Sequence, residues 1–291
     1  MRRYRFGRLA MAATVIYLAA VAAATAAHVA IGQTWWLSAV TMWFNGDDLT
    51  DDRTGIDWDV AGLLLSGALK AWLLWHLLRG PAVPSGGPDG GRGAGRDVVW
   101  LRRLLYLGVA GDLFAWIVIG ALNSVAGAAG VLVLTVATTV MFLRVLGRLW
   151  TVFGVLTLGF GLMNGSAPLL LELTGVATSE SFLQVITLAG LTVYAWLAML
   201  VIGQRRDARW SDATVRTGGV TLALIPVSLL SGALTSIGYG ELASHLAEAM
   251  SVLFIVWRVR SAHDLAGTGP QETAEPKRRQ GPRTAAGSAA S

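Results

Sequence analysis

Residues 126–171 read AGAAGVLVLTVATTVMFLRVLGRLWTVFGVLTLGFGLMNGSAPLLL, and the only charges in that run are Arg144 and Arg148. A helix needs about 20 largely apolar residues to cross about 30 Å of hydrocarbon. The run is more than twice that long, so it is expected to cross twice, with the two arginines marking the turn. Outward from it, further apolar segments of spanning length lie near 9–31, 58–79 and 100–122 on one side and near 182–203, 217–239 and 240–258 on the other. With 126–146 and 149–171 these predict an all-α polytopic membrane protein, a bundle of about eight transmembrane helices over residues 1–261. Gly238 and Gly240 flank the tightest hairpin, between the last two segments.

Composition agrees with that architecture. Of 291 residues, 54% are hydrophobic and 14% are charged, against roughly a quarter charged in an ordinary soluble domain. Too few charges remain to coat a globule in water, which excludes a soluble enzyme. Hydrophobicity this high also excludes a disordered chain. The chain has no cysteine, so disulfides, thiolate metal sites, iron–sulfur clusters and cysteine nucleophiles are excluded.

The basic residues set the expected orientation. Of 23 lysines and arginines, 21 fall in segments that lie on one side if the N-terminus is cytoplasmic; Arg53 alone lies opposite, and Lys70 lies within a span. Cytoplasmic loops carry the excess of Lys and Arg, so both termini are expected in the cytoplasm. The net charge of +5 is therefore a topology signal, and no nucleic-acid partner is expected. Aspartates crowd the first outer loop, at Asp47, Asp48, Asp51, Asp52, Asp57 and Asp59. Tryptophan prefers the headgroup level: Trp35, Trp36, Trp43 and Trp58 fall at the outer boundary, and Trp75, Trp100, Trp150, Trp210 and Trp257 at or near the inner one. Arginine outnumbers lysine by 21 to 2, which with abundant Ala, Gly and Val points to a G+C-rich bacterial source and a plasma-membrane location.

The first segment has a rival reading. Arg2, Arg3 and Arg5 form a basic start and Ala24-Thr25-Ala26 resembles a signal-peptide cleavage site, but the apolar run exceeds the usual 7–15-residue core, which favours a retained helix. Residues 80–97 are rich in Gly and Pro and read as a flexible cytoplasmic loop. A phosphate-cradling loop would need a following Gly-Lys-Ser/Thr, which is missing. Residues 262–291, with Pro270, Pro276, Pro282 and Lys277-Arg278-Arg279, read as a disordered basic tail attracted to anionic lipid. In the first outer loop Trp36, Val40, Trp43 and Phe44 recur at helical spacing, as in a short helix at the outer interface or an extension of the first span.

Charge inside hydrocarbon costs at least ~2.5–3.5 kcal/mol on insertion scales and calls for a partner. Lys70 and Asp112 lie at similar depth on consecutive antiparallel segments, with Gly62 and Ser66 on the face of Lys70 and Gly108 one turn from Asp112. An ion pair between them is expected. In the last span Glu241, Ser244, His245, Glu248 and Ser251 share one arc, and in the preceding one Thr221, Ser228, Ser231, Thr235 and Tyr239 do. These stripes predict a polar cavity at the seventh and eighth spans, with Glu248 near mid-depth. The span at 149–171 carries Gly161 and Gly165, a small-residue packing face. His28 and His245 invite a shared metal or haem, but no ligand spacing accompanies them, and no cofactor or metal is expected.

These residues lead to three expectations of function. The leading one is a small transporter or permease with Lys70, Asp112, Glu241, His245 and Glu248 lining or gating the path. The others are a non-catalytic assembly or interaction subunit, with the stripe facing a membrane-protein partner or a second copy, and a membrane-embedded enzyme using Glu248 and His245 as acid and base. Beyond the lipid bilayer no partner is specified. The orientation can be checked directly, because single cysteines can be placed in a cysteine-free chain. A cysteine at Asp51 should react with impermeant maleimide in whole cells and one at Ser85 should not; labelling at Ser85 would reverse the topology.

Overall fold

The computed structural model describes residues 4, 6–32, 35–42, 58–81, 95–117, 125–149, 151–174, 180–229 and 240–267. Among them the protein is all-helical, with no strand: α1 (Gly7–Ile31), α2 (Trp35–Thr41), α3 (Trp58–Leu78), α4 (Arg96–Ile117), α5 (Val125–Val145), α6 (Val152–Thr174), α7 (Glu180–Arg205), α8 (Asp212–Leu229) and α9 (Gly240–Gly267). Each long helix lies on one of the eight apolar segments, and α2 is the short extra element; residues 118–122 and 230–239 of two segments, with the hairpin at Gly238, lie outside the described residues. Four of them, α1, α3, α5 and α6, hold stretches long and apolar enough to cross a membrane.

Helices α4 to α9 each pack on the next, and α9 packs back on α4, closing a ring. On its other side α9 receives α3, which carries α1 and α2. The ring is filled by large side chains, with Phe142 stacked on Trp210 at 5.7 Å and on Trp257 at 6.2 Å, and by Leu101, Leu105, Leu197 and Leu200. A second core joins Leu73 of α3 and Val109 of α4 to Val252, Ile255, Val256 and Val259 of α9. A third joins Val21 and Ala24 of α1 to Leu37, Met42, Val60 and Leu63. Outward, α1 exposes Leu9, Met11, Val15, Ile16 and Val29, and α6 exposes Val152, Val155, Leu162, Met163, Leu170 and Leu173. In water such apolar faces would aggregate; against lipid they are the ordinary surface.

The turn expected between Arg144 and Arg148 falls at Gly147. Its φ of +64° is the left-handed cap conformation, and Arg148 N donates back to Leu143 O at 2.9 Å, which ends α5 in a Schellman-type cap. Thr151 Oγ1 then accepts Gly154 N at 3.1 Å and starts α6. Opposite, Trp196 Nε1 donates to Thr139 Oγ1 at 2.8 Å, and this contact occupies the notch left by Gly161.

Two sequence expectations are corrected, and a third is made specific. Trp210 and Trp257 are core residues, both buried; Trp257 Nε1 donates to Gln204 Oε1 at 2.9 Å inside the bundle, so it needs no headgroup water. The last helix runs to Gly267, past both the span limit of 258 and the tail boundary of 262. Its extra turns are held by Ser261 Oγ, which accepts Gln204 Nε2 at 2.9 Å, and by Asp264. In α2 the buried positions are Leu37 and Thr41, whereas Trp35 and Trp36 are exposed and stacked at 3.7 Å; Trp43 and Phe44 lie outside the described residues. The indoles therefore face outward, as amphipathic rings do at a membrane boundary. Residues 82–94 of the Gly/Pro-rich loop and 268–291 of the tail also lie outside the described residues. The sequence that resembled a cleavage site, Ala24-Thr25-Ala26, lies inside α1.

A Cβ at Gly161 would stand 2.8 Å from Thr139 Oγ1 and 3.2 Å from the Trp196 ring, whereas one at Gly159 meets nothing within 4 Å. Overpacking of this kind costs about 1–3 kcal/mol. Gly161→Ala should therefore lower the unfolding midpoint in detergent while Gly159→Ala leaves it unchanged or raised; equal effects would show that the notch is slack.

Candidate functional site

Helix α9 is buried on two faces that the 3.6-residue period separates. Phe254, Trp257, Ser261 and Leu265 face the ring core and α7, while His245, Glu248, Val252, Ile255 and Val259 face α3 and α4. The second face carries the charged centre. Lys70 of α3 and Glu248 of α9 form an ion pair, and both side chains are 0% exposed. Lys70 Nζ also donates to the carbonyl oxygen of Thr41, in the last turn of α2. A helix C-terminus carries partial negative charge and unsatisfied carbonyls, so α2 offers the ammonium a second acceptor.

Two further side chains complete this centre. Tyr17 of α1 donates its hydroxyl to Val40 O at 3.1 Å, one residue from the carbonyl that Lys70 uses, and lies within electrostatic reach of Glu248. His245, one turn before Glu248, lies against Gly62 so closely that a Cβ there would meet the imidazole at 2.5 Å. Ser66, one turn before Lys70, is buried beside them on the same α3 face. Four elements thus converge on a single ammonium–carboxylate pair.

Asp112 has a different partner from the one expected. Arg258 of α9 bonds its carboxylate at 2.5 Å and lies over the Phe254 ring at 4.2 Å. The side chains are 34% and 15% exposed, Asp112 and Arg258 respectively. The Lys70–Asp112 pair is corrected by this finding. Helix α9 packs extensively on both α3 and α4, which do not pack extensively on each other. Each small-residue notch accordingly receives a side chain of α9: His245 at Gly62, and Arg258 at Gly108, where a Cβ would lie 3.0 Å from the guanidinium. Depth was inferred from consecutive helices, but the neighbour in space is the last helix, and Glu248 and Arg258 are ten residues apart on it, about 15 Å at 1.5 Å per residue.

The expected stripe between α8 and α9 is only partly described. Thr221 Oγ1 donates to Thr217 O at 2.9 Å and Ser251 Oγ to Ala247 O at 3.0 Å, so these hydroxyls bond back to their own helices. The side chains of Ser228, Glu241 and Ser244, and residues Ser231, Thr235 and Tyr239, lie outside the described residues. His28 is buried in the last turn of α1. Among the described residues no group of three or more His, Asp or Glu could hold a metal ion.

Sequence reasoning missed three participants. Arg258 was counted as an inner-loop charge, although Asp112 needed a cation and Arg258 was available. Tyr17 and the Thr41 carbonyl left no signal, since a phenol in an apolar helix and a backbone oxygen look like any other. At the far end of α9, beyond residue 258, burial pushes the His263 imidazole down to about 4, and the nearby Arg79 guanidinium acts in the same direction. No family model matches the chain, and neither a curated protein nor a solved structure matches it.

Removing one partner of a fully buried pair costs about 3–5 kcal/mol, because the other charge is stranded, and removing both costs less. A double-mutant cycle of Lys70→Met and Glu248→Gln, read by unfolding in mixed micelles, should show strong coupling. Lys70→Met with Asp112→Asn should add to within about 0.5 kcal/mol. Additivity in the first cycle would show that the two charges do not meet.

Proposed function

We propose that the chain is a small transporter- or permease-like protein of a bacterial plasma membrane, with eight spans and both termini cytoplasmic, whose coupling centre is the Lys70–Glu248 pair. The observation that carries the reading is that pair itself, fully buried and completed by the carbonyl end of α2. A bundle that needed only cohesion would be as stable or more so with apolar side chains there, since burying two charges rarely gives a net gain. Charges kept at such a position mark ion, proton or substrate pathways.

The chemistry follows from the geometry. With Glu248 ionised, the ammonium is held between a carboxylate and the end of α2, and the α1–α3 group is tied to α9. A proton or cation arriving at Glu248 cancels that attraction and lets Lys70 take an anionic group or shift toward α2, whose Thr41 carbonyl it already bonds. The polar path is then centred between α9 and α1–α3, with Tyr17 and His245 at its sides, and the hydroxyl stripe of α8 is not needed for it. Eight spans are supported by the coincidence of the long helices with the eight apolar segments and by the arginine distribution.

Flux through the full chain in liposomes tests this. Reconstituted protein should pass protons, read by an entrapped pH-sensitive dye, when a pH gradient is combined with a panel of monovalent cations, amino acids and small organic anions. Glu248→Gln should abolish that flux. Because this change strands Lys70, the double variant Lys70→Met/Glu248→Gln serves as the control that keeps the fold: it should unfold near the wild-type midpoint and carry no flux. Full flux in the double variant, or no flux in the wild type across the panel, would refute the reading.

A further inference from the structure

A second set of charges lies at the opposite end of α9, where α3 finishes. Arg79, which follows α3, and Arg260 of α9 both lie within electrostatic reach of two histidines, His76 of α3 and His263 of α9. Both imidazoles are almost fully buried, 3% and 8% exposed, and their Nδ1 atoms make no hydrogen bond among the described residues. Arg260 Nε likewise has no hydrogen-bond partner among the described residues. Tyr4 closes one side, its hydroxyl accepting from Arg79 Nη1 at 3.3 Å and its ring lying 4.6 Å from that guanidinium.

The anion already present is largely committed elsewhere. Asp264 is near enough to act on Arg260 and His263, but its Oδ2 accepts Ser211 N at 2.8 Å, Ser211 Oγ at 2.9 Å and Thr214 Oγ1 at 2.6 Å, at the start of α8. Arg260 therefore faces a carboxylate whose Oδ2 already bonds the start of α8. Buried donors without acceptors are costly, and guanidinium forks match tetrahedral oxyanions in geometry and charge.

The geometry points to a phosphate-binding site at this end of the bundle, with Arg79 and Arg260 supplying the charge and His76 and His263 supplying neutral donors. The ligand class is a phosphate anion, either the phosphodiester of a lipid headgroup or a free phosphate. In the proposed topology the ends of α3 and α9 lie at the headgroup level, on the side where Arg144 and Arg148 turn, so a lipid phosphodiester is at hand there.

Thermal unfolding of the full chain in dodecyl maltoside measures this. The probes are inorganic phosphate, and mixed micelles containing dioleoyl phosphatidylglycerol with phosphatidylcholine as the zwitterionic comparison. The wild-type midpoint should rise with at least one phosphate probe beyond the rise in phosphatidylcholine. Arg260→Gln should lose more than half of that rise, and Arg206→Gln, an exposed arginine outside the cluster, should keep it. A rise with phosphatidylglycerol alone assigns a lipid headgroup; a rise with inorganic phosphate alone, or with both, assigns the free or exposed phosphate group. Should Arg260→Gln not fold, Arg79→Gln takes its place with the same expectation. No rise with either probe, a rise undiminished in the cluster variants, or one equally diminished in Arg206→Gln overturns the site.

Discussion

An ionised side chain inside a bundle this apolar must find its counter-charge within the protein, because lipid offers none and the stranded ion would cost several kcal/mol. Helix α9 carries two such side chains of opposite sign, Glu248 and Arg258, and each is matched by a different helix. Matching both at once leaves α9 little freedom. Sliding it along its axis would separate one pair from Lys70 or the other from Asp112, and rotating it would turn both away. The third side is held by Trp257, Gln204 and Ser261 in a continuous hydrogen-bonded row. The remaining helices can then be apolar and loosely patterned, since α9 specifies how they are arranged around it.

Much of this architecture was legible in residues 126–171, because a helix hairpin in lipid leaves a plain local record: two spanning lengths, a basic turn and a glycine where the backbone must adopt positive φ. The small-residue notches at Gly62 and Gly108 were legible for the same reason. What fills them was not. Spacing along a helix reports depth and face, but it does not report which helix lies opposite, and the natural assumption that α3 meets α4 placed Lys70 beside Asp112. The last helix, far away in the chain, lies between them. Arg258 shows the difficulty in one residue, since it stands where a topology count expects a cytoplasmic charge and also forms an ion pair with Asp112.

The tryptophans make the same point about environment. Trp35 and Trp36 do face outward, as their position at the end of a span suggests. Trp210 and Trp257 lie at comparable distances from a span end but stack on Phe142 in the ring core. An indole needs apolar surroundings for its ring and an acceptor for its N–H, and a headgroup layer is only one place that offers both. Gln204 gives Trp257 an acceptor inside the bundle, and no local pattern around residue 257 announces a glutamine on another helix.

The two ion pairs of α9 are not equivalent in what they join. Asp112–Arg258 links neighbours within the closed ring α4–α9, and its partial exposure lets solvent or headgroups screen the charges, so losing it weakens a contact that packing already maintains. Lys70–Glu248 crosses the seam between that ring and the α1–α3 group, is wholly buried, and depends on a carbonyl from the seven-residue helix α2. Apolar packing across the same seam, through Leu73 and Val252–Val259, has no preferred partner atoms and tolerates small shifts. The Lys70–Glu248 pair, by contrast, is directional. A change of protonation at that single point therefore alters the attraction between two groups of helices, whereas the same change at Asp112 would act within one group only.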